Sequence, residues 1–145
     1  MTRYLLDTNV LSEGTKPKPS EIVGRWVEAQ ATRHLFVSAF SLAEIERGIL
    51  ERAVGQKRRA LDAWFQGPGG PLTVFAGRIL AFDERAAAEW ARLMSDGSAM
   101  GRPRSGFDMI IAATAAANQC TVVTLNERDF QGTVPVFNPQ TGSAS

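Results

Sequence analysis

Short apolar runs alternate along this chain with longer stretches of helical periodicity. Five runs have the length and composition of buried strands, at residues 4–6, 35–37, 79–82, 121–124 and 134–137. They are continuously apolar, which is typical of parallel strands that are covered on both faces. Strands that alternate with helices indicate βαβ units. The pattern therefore predicts an α/β fold, a three-layer sandwich around a mainly parallel sheet of about five strands.

Four stretches between these runs carry apolar residues at helical spacing. We expect helices at residues 21–31, 41–66, 84–94 and 108–118, with Gly48 and Gly55 as weak points in the second. The last stretch is almost wholly apolar, and a helix without a polar face is typical of burial against a sheet.

The length of 145 residues is that of one ordinary domain. Loop-like stretches at residues 67–71 and 95–106 are too short to separate two domains. We therefore expect a single domain at residues 1–139, followed by a small polar tail at residues 140–145 that frays.

The composition of the chain says more about the cellular compartment in which we expect the protein than about its function. The formal net charge is +1, so a nucleic-acid role must rest on a site rather than on overall charge. No apolar run reaches the roughly 18 residues of a membrane span, so we expect no membrane association. The single cysteine, Cys120, lies in an apolar run and is typical of a reducing cytoplasm, where we expect the protein to act.

Carboxylates stand where predicted strands end or predicted helices begin. Asp7 follows the first strand, Glu44 lies early in the helix after the second, and Asp108 opens the apolar helix. Asp129 follows the strand that ends at Thr124. Because ligands of open α/β sheets bind at the carboxyl ends of the strands, we expect these four acids at one edge of the sheet.

Each acid also has an ordinary structural explanation. Asp7 and Asp108 could cap helices, and the segment from Asn126 to Asp129 could be a capped turn. Ser41 and Glu44 have the spacing of a capping box. Asp83 stands directly before a helical stretch, and a capping role explains it fully.

The four acids taken together favour a metal site. Converging carboxylates repel one another and raise one another's pKa values, a penalty that a bound cation removes. Ligation by oxygen alone selects hard ions, here Mg²⁺ or Mn²⁺. Such a site suits phosphodiester hydrolysis, so the sequence predicts a nuclease.

Four segments, in order, resemble the motifs of PIN domains. They are residues 5–13 (LLDTNVLSE), 41–48 (SLAEIERG), 107–115 (FDMIIAATA) and 123–130 (VTLNERDF), with residues 137–139 (FNP) resembling the usual ending. Residues 77–83 (GRILAFD) resemble the branch that holds VapC toxins and FitB-like proteins. The resemblance implies an Mg²⁺- or Mn²⁺-dependent endoribonuclease, the toxin of a type II toxin–antitoxin pair.

The same resemblance implies roles for particular residues. Asp7 and Asp108 would hold the metal, and Glu44 and Asp129 would complete the acidic pocket directly or through waters. A surrounding layer that orients ligands or water would be formed by Thr8, Asn9, Thr124 and Asn126. Leu125 departs from the branch, which often has arginine there.

Basic residues near the pocket are candidates for RNA contacts. Arg102 and Arg104 precede Asp108 in a loop and could meet RNA phosphates, although a solvated loop explains them equally well.

The resemblance also implies partners. The toxins that this chain resembles form homodimers and are held inactive by a cognate antitoxin. The antitoxin binds DNA, so the resemblance implies that this chain would contact DNA only indirectly. Candidates for an apolar groove that receives the antitoxin are Trp26, Ile45, Ile49, Trp64 and Phe65.

Three other functions stay open at this point. A scaffold with a weak metal site could act mainly through an antitoxin and DNA. A phosphatase with an aspartyl nucleophile would need a second acid where Asn9 stands, and a phosphoacceptor receiver domain would need a paired acid near the chain start.

Overall fold

The computed structural model describes residues 2–145, and its centre is one six-stranded sheet in the order β3-β2-β1-β4-β5-β6. The strands are β1 Arg3–Leu6, β2 Leu35–Ser38, β3 Ile79–Leu80, β4 Cys120–Val123, β5 Val136–Asn138 and β6 Ser143–Ala144. The first five pair in parallel, and β6 runs antiparallel to β5. The predicted α/β fold with a mainly parallel sheet is confirmed.

Strand β1 lies at the centre of the sheet. Its residue Leu5 is in register with Phe36 on β2 and Val122 on β4. Leu5 packs into the core on one face of the sheet, and Leu6 packs into the core on the other. The two cores give the three layers that the continuously apolar strands predicted.

Helices connect the strands and cover both faces. They are α1 Thr8–Leu11, α2 Glu21–Ala29, α3 Ala39–Leu50, α4 Gln56–Gln66, α5 Pro71–Val74, α6 Glu84–Ala99 and α7 Gly106–Ala117. Short 3-10 helices lie at Glu13–Thr15, Thr32–His34 and Glu127–Phe130. Along residues 2–145, no helix is long and apolar enough to cross a membrane.

The single helix predicted at residues 41–66 is wrong, because the chain turns between α3 and α4. Ile49 on α3 and Phe65 on α4 are both buried in the same core. On one straight helix they would lie about 24 Å apart, at ~1.5 Å per residue. The break falls beside Gly55, the residue at which α4 is capped.

Helix α6 is longer than expected and shortens the loop before α7. It continues to Ala99 and includes Gly97, where an added Cβ would lie 3.0 Å from both the Arg102 carbonyl oxygen and the Arg104 side chain. A glycine inside this helix therefore lets the loop at residues 100–105 pack directly on it.

The tail at residues 140–145, expected to fray, instead carries β6. Backbone groups of Val136 and Ser145 exchange two hydrogen bonds of 2.9 Å. The hairpin turn contains Gly142 at φ 75°, a conformation that favours glycine. Pairing of backbone groups, rather than burial of its exposed side chains, holds this segment.

Candidate active site

Asp7 lies at the carboxyl edge of the sheet, directly after β1, and is only 6% exposed. One carboxylate oxygen accepts a hydrogen bond from the Thr8 backbone N–H at 2.7 Å, which caps α1. The other oxygen accepts from the Thr124 hydroxyl at 2.8 Å. The capping explanation is thus correct but incomplete, because the same side chain also joins β1 to the end of β4.

Thr124 and Asn9 form a buried polar network behind Asp7. The Thr124 side chain oxygen accepts from the Asn126 backbone N–H at 3.0 Å and from the Asn9 amide at 3.4 Å. The Asn9 oxygen accepts from the Leu125 backbone N–H at 3.3 Å. Asn126 is exposed, and it joins the network through its backbone N–H.

Glu44 is held by the loop that carries Asp7. Its carboxylate accepts a hydrogen bond from the Thr8 hydroxyl at 2.7 Å. The capping-box explanation is wrong, because α3 begins earlier and is capped by Ser38, whose hydroxyl accepts from the Ser41 N–H at 3.1 Å. Glu44 is therefore not used to terminate its helix.

The carboxylate of Asp108 is also free of a capping role. Ser105 caps α7, and its hydroxyl accepts from the Asp108 backbone N–H at 3.3 Å. Asp129 lies exposed in the 3-10 helix Glu127–Phe130. By contrast, Asp83 caps α6 as predicted, accepting from the Ala86 N–H at 3.0 Å.

The charges of these acids act on one another. Burial raises the pKa of Asp7 from its usual 3.8 to about 6, against the lowering by its bonds to Thr124 and Thr8, and the charges of Asp108 and Glu44 add to the rise. Burial first, and then the charge of Asp129, raise the pKa of Asp108. The expected mutual repulsion is therefore present at this edge of the sheet.

The ligand atoms at this site are of the type that hard divalent cations prefer, but their positions do not form a ready-made metal site. The four candidate ligands are all carboxylates, and within the described part of the chain no basic side chain forms an ion pair with any of them. Across residues 2–145, however, no three acid, histidine or cysteine side chains are placed to hold an ion. A cation there would require the carboxylates to draw closer.

A cleft of about 710 Å³ adjoins Asp108 and Asp129. Two exposed arginines, Arg102 and Arg128, line it. Arg104 lines it as well, but its guanidinium donates to the Leu93 carbonyl at 2.7 Å and so ties the loop to α6. Sequence reasoning missed Arg128, although its position directly before Asp129 in the fourth motif was a usable signal.

The residues predicted to form an antitoxin groove belong largely to the core. Ile49 and Phe65 are buried, while Trp26, Ile45 and Trp64 are partly buried against the same cluster. Trp26 also contacts the rings of Tyr4 and Phe137. These five do not form an open groove by themselves, because their apolar surface already stabilises the fold.

Comparison with known proteins agrees with this geometry. The family model described as PIN domain matches residues 4–133, and the chain belongs to that family. Toxin FitB of Neisseria gonorrhoeae is 38% identical over 136 residues, 93% of this chain and 96% of that protein. VapC ribonuclease Y4jK of Sinorhizobium fredii is 34% identical over 136 residues, with the same coverage of 93% and 96%.

Solved structures lead to the same branch. The crystal structure of FitAcB from Neisseria gonorrhoeae has a TM-score of 0.87 at 37% identity and covers 94% of this chain and 98% of that chain. The structure of FitAB bound to an IR36 DNA fragment also has a TM-score of 0.87 at 37% identity, with 94% of each chain covered. The predicted membership of the VapC and FitB-like branch is confirmed.

Proposed function

We propose that this protein is a metal-dependent endoribonuclease, a hydrolase of RNA phosphodiester bonds, and the toxin of a type II toxin–antitoxin pair. The observation that carries the proposal is Asp7: a buried carboxylate with a raised pKa, held in place by Thr124 and facing other acids. Relatives of the chain carry the names Toxin FitB and VapC ribonuclease, which supports the same function.

Asp7 and Asp108 would hold Mg²⁺ or Mn²⁺, with Glu44 and Asp129 as further ligands or as partners of bound water. When present, the ion supplies activation of water and neutralisation of charge on the phosphate. The protein's part is orientation. Thr124 fixes the direction of the Asp7 carboxylate, and Thr8 fixes that of Glu44. Neither acid then needs to be ordered when substrate arrives.

The single cysteine is not suited to a covalent route. Cys120 lies buried in β4, and burial raises the pKa of its thiol, which disfavours the reactive thiolate. Direct attack of water on the phosphodiester is therefore the proposed reaction.

Arg102 and Arg128 would contact RNA phosphates at the cleft beside Asp108 and Asp129. Both residues are exposed and line this cleft, one in the loop before α7 and one in the 3-10 helix after β4. Arg104 is assigned to positioning this loop rather than to RNA, because its guanidinium is already bound to α6.

The proposal includes a cognate antitoxin, a homodimeric toxin, and contact with DNA only through the antitoxin. Solved relatives carry the names FitAcB and FitAB, the latter bound to a DNA fragment, and another is named a member of the VapBC family of toxin-antitoxin systems. A basic antitoxin side chain could neutralise the acids in place of the metal. Action in the cytoplasm follows as part of the same proposal.

The test is cleavage of a panel of structured RNAs with Mg²⁺ or Mn²⁺, and with EDTA. Asp7→Asn is compared with Asp83→Asn, a matched control whose carboxylate caps α6 and forms an ion pair with Arg85. We expect metal-dependent cutting by the wild type and by Asp83→Asn, and none by Asp7→Asn. Absence of both cutting and Mn²⁺ binding in the wild type would refute the proposal.

A scaffold function is the second candidate. It is favoured by one observation: within residues 2–145 the acids do not already surround a point where a metal could sit. A scaffold would bind its antitoxin with unchanged affinity after Asp7→Asn, and the wild type would leave every RNA in the panel intact.

A further inference from the structure

Two phenylalanines meet at the edge of the acidic site. The rings of Phe40 and Phe107 have centroids 5.4 Å apart and planes inclined by 51°. Phe40 is partly buried against the core, whereas Phe107 is 58% exposed. The inner ring therefore supports the outer ring, whose remaining surface faces solvent. We call these two residues the aromatic pair.

Both members of the aromatic pair lie next to an acid of the proposed site. Phe40 and Glu44 are four residues apart on α3 and so share a face of that helix. Phe107 directly precedes Asp108 on α7. Helices α3 and α7, which carry Glu44 and Asp108, contact each other, and the two rings are part of that contact.

The cleft described above also borders the acidic site. Asp108 and Asp129 line it together with Arg102 and Arg128, whereas neither Phe40 nor Phe107 does. Asp108 thus directly follows an exposed aromatic residue in α7 and lines a cleft together with two exposed arginines. Aromatic surfaces combined with a positive groove are the usual means of binding single-stranded nucleic acid.

We propose that Phe107, supported by Phe40, stacks an unpaired RNA base next to the bond that is cut. The proposal rests on the ribonuclease function above and adds that the substrate is single-stranded at this point. A base inside an A-form helix is stacked on its neighbours and cannot reach an external ring. The aromatic pair would thereby select loops and unpaired ends over duplex RNA.

Binding is tested with Asp7→Asn, which should not cut, and a short unstructured RNA that carries 2-aminopurine at each position in turn. Stacking quenches the fluorescence of this base. We expect quenching at one position, its loss in Asp7→Asn/Phe107→Leu, and its return in Asp7→Asn/Phe107→Tyr. A matched control is Asp7→Asn/Phe82→Leu, since Phe82 is also exposed but lies outside the aromatic pair.

Cleavage is tested in the active background with the same RNA and with a copy that is abasic at the quenched position. Phe107→Leu should lower kcat/KM on the intact RNA by about 5- to 150-fold, the usual range for one stacked base. On the abasic RNA, wild type and Phe107→Leu should be equal. An equal loss on both RNAs would overturn the proposal.

Oligomeric state separates stacking from an interface between copies of the chain. Light scattering should give Phe107→Leu the mass of the wild type, whereas dissociation together with an equal loss on both RNAs would assign Phe107 to the interface and overturn stacking. Quenching that depends on Phe107 without cleavage by the wild type would support the stacking site and refute the nuclease function. Cleavage with no quenching at any position would support the nuclease function and refute the stacking site.

Discussion

Replacing Asp7 with asparagine should stabilise the metal-free protein at neutral and higher pH. Asp7 is 6% exposed, and burial raises its pKa from 3.8 to about 6. At about 1.4 kcal/mol per pKa unit, ionised Asp7 costs the folded state about 3 kcal/mol relative to the unfolded chain near pH 8. Asparagine has nearly the same shape and no charge, so Asp7→Asn removes the cost of the charge. It also loses one of the two accepted hydrogen bonds, about 1 kcal/mol, because its amide nitrogen cannot accept, and the net effect remains stabilising.

The effect must depend on pH in a definite direction. Because the pKa of Asp7 is higher in the folded chain, the folded state binds more protons between pH 3.8 and about 6. The stability contributed by this group is therefore fully present below that window and is lost as the pH rises through it. From near pH 5 to near pH 8, the advantage of Asp7→Asn should grow by about 1.4 kcal/mol.

Urea unfolding in EDTA at the two pH values measures this advantage. Asp83→Asn is the control, because Asp83 is an exposed cap whose pKa is lowered rather than raised. Added Mn²⁺ should stabilise the wild type and not Asp7→Asn, since a ligand stabilises only the state that binds it. If metal-free Asp7→Asn is less stable than the wild type near pH 8, or if its advantage does not change with pH, the argument from burial is refuted.

Three further predictions concern groups around the acids. Thr124→Val removes the hydroxyl that holds Asp7, so the pKa of Asp7 should rise further and Mn²⁺ binding, followed by calorimetry, should need a higher pH. Glu44→Gln removes a negative charge that raises the pKa of Asp108, so this pKa should fall in an NMR titration, and an unchanged value would contradict the proposed proximity. Arg104→Met removes a hydrogen bond to a helix carbonyl, so it should lower the free energy of unfolding by about 1–2 kcal/mol in urea titrations; no change would make this arginine a free side chain.

The sequence was sufficient for the centre of the sheet because burial leaves a compositional mark. Strands β1, β2 and β4 are covered on both faces and are therefore continuously apolar. β6 leaves no such mark, since Ser143 and Ala144 are exposed and held through backbone groups alone. Strand β3 is shorter than its apolar run, because only Ile79 and Leu80 pair with β2.

The expected topology of the sheet was sufficient to predict where the candidate site lies. It was not sufficient to predict which hydrogen bonds the residues of the site make. Asp7 and Asp108 could be assigned to one edge because parallel strands end on the same side of a sheet. That Ser38 rather than Ser41 caps α3 depends on where the helix begins, which periodicity does not resolve. Arg102 and Arg104 are equivalent in sequence, and only the way the loop folds back on α6 brings Arg104 to the Leu93 carbonyl.

The hydrogen bond between Thr124 and Asp7 joins residues 117 positions apart, and the strand before Asp7 lies between β2 and β4. During synthesis, β1 can therefore pair with β2 early, but it cannot pair with β4 until β4 has left the ribosome. Loop closure over such a distance comes late and is slow. Until Thr124 emerges, the chain has no complete sheet centre and no held Asp7, so the proposed nuclease site cannot form while the first 124 residues are being translated. The order of the strands therefore places assembly of the proposed site after the synthesis of β4.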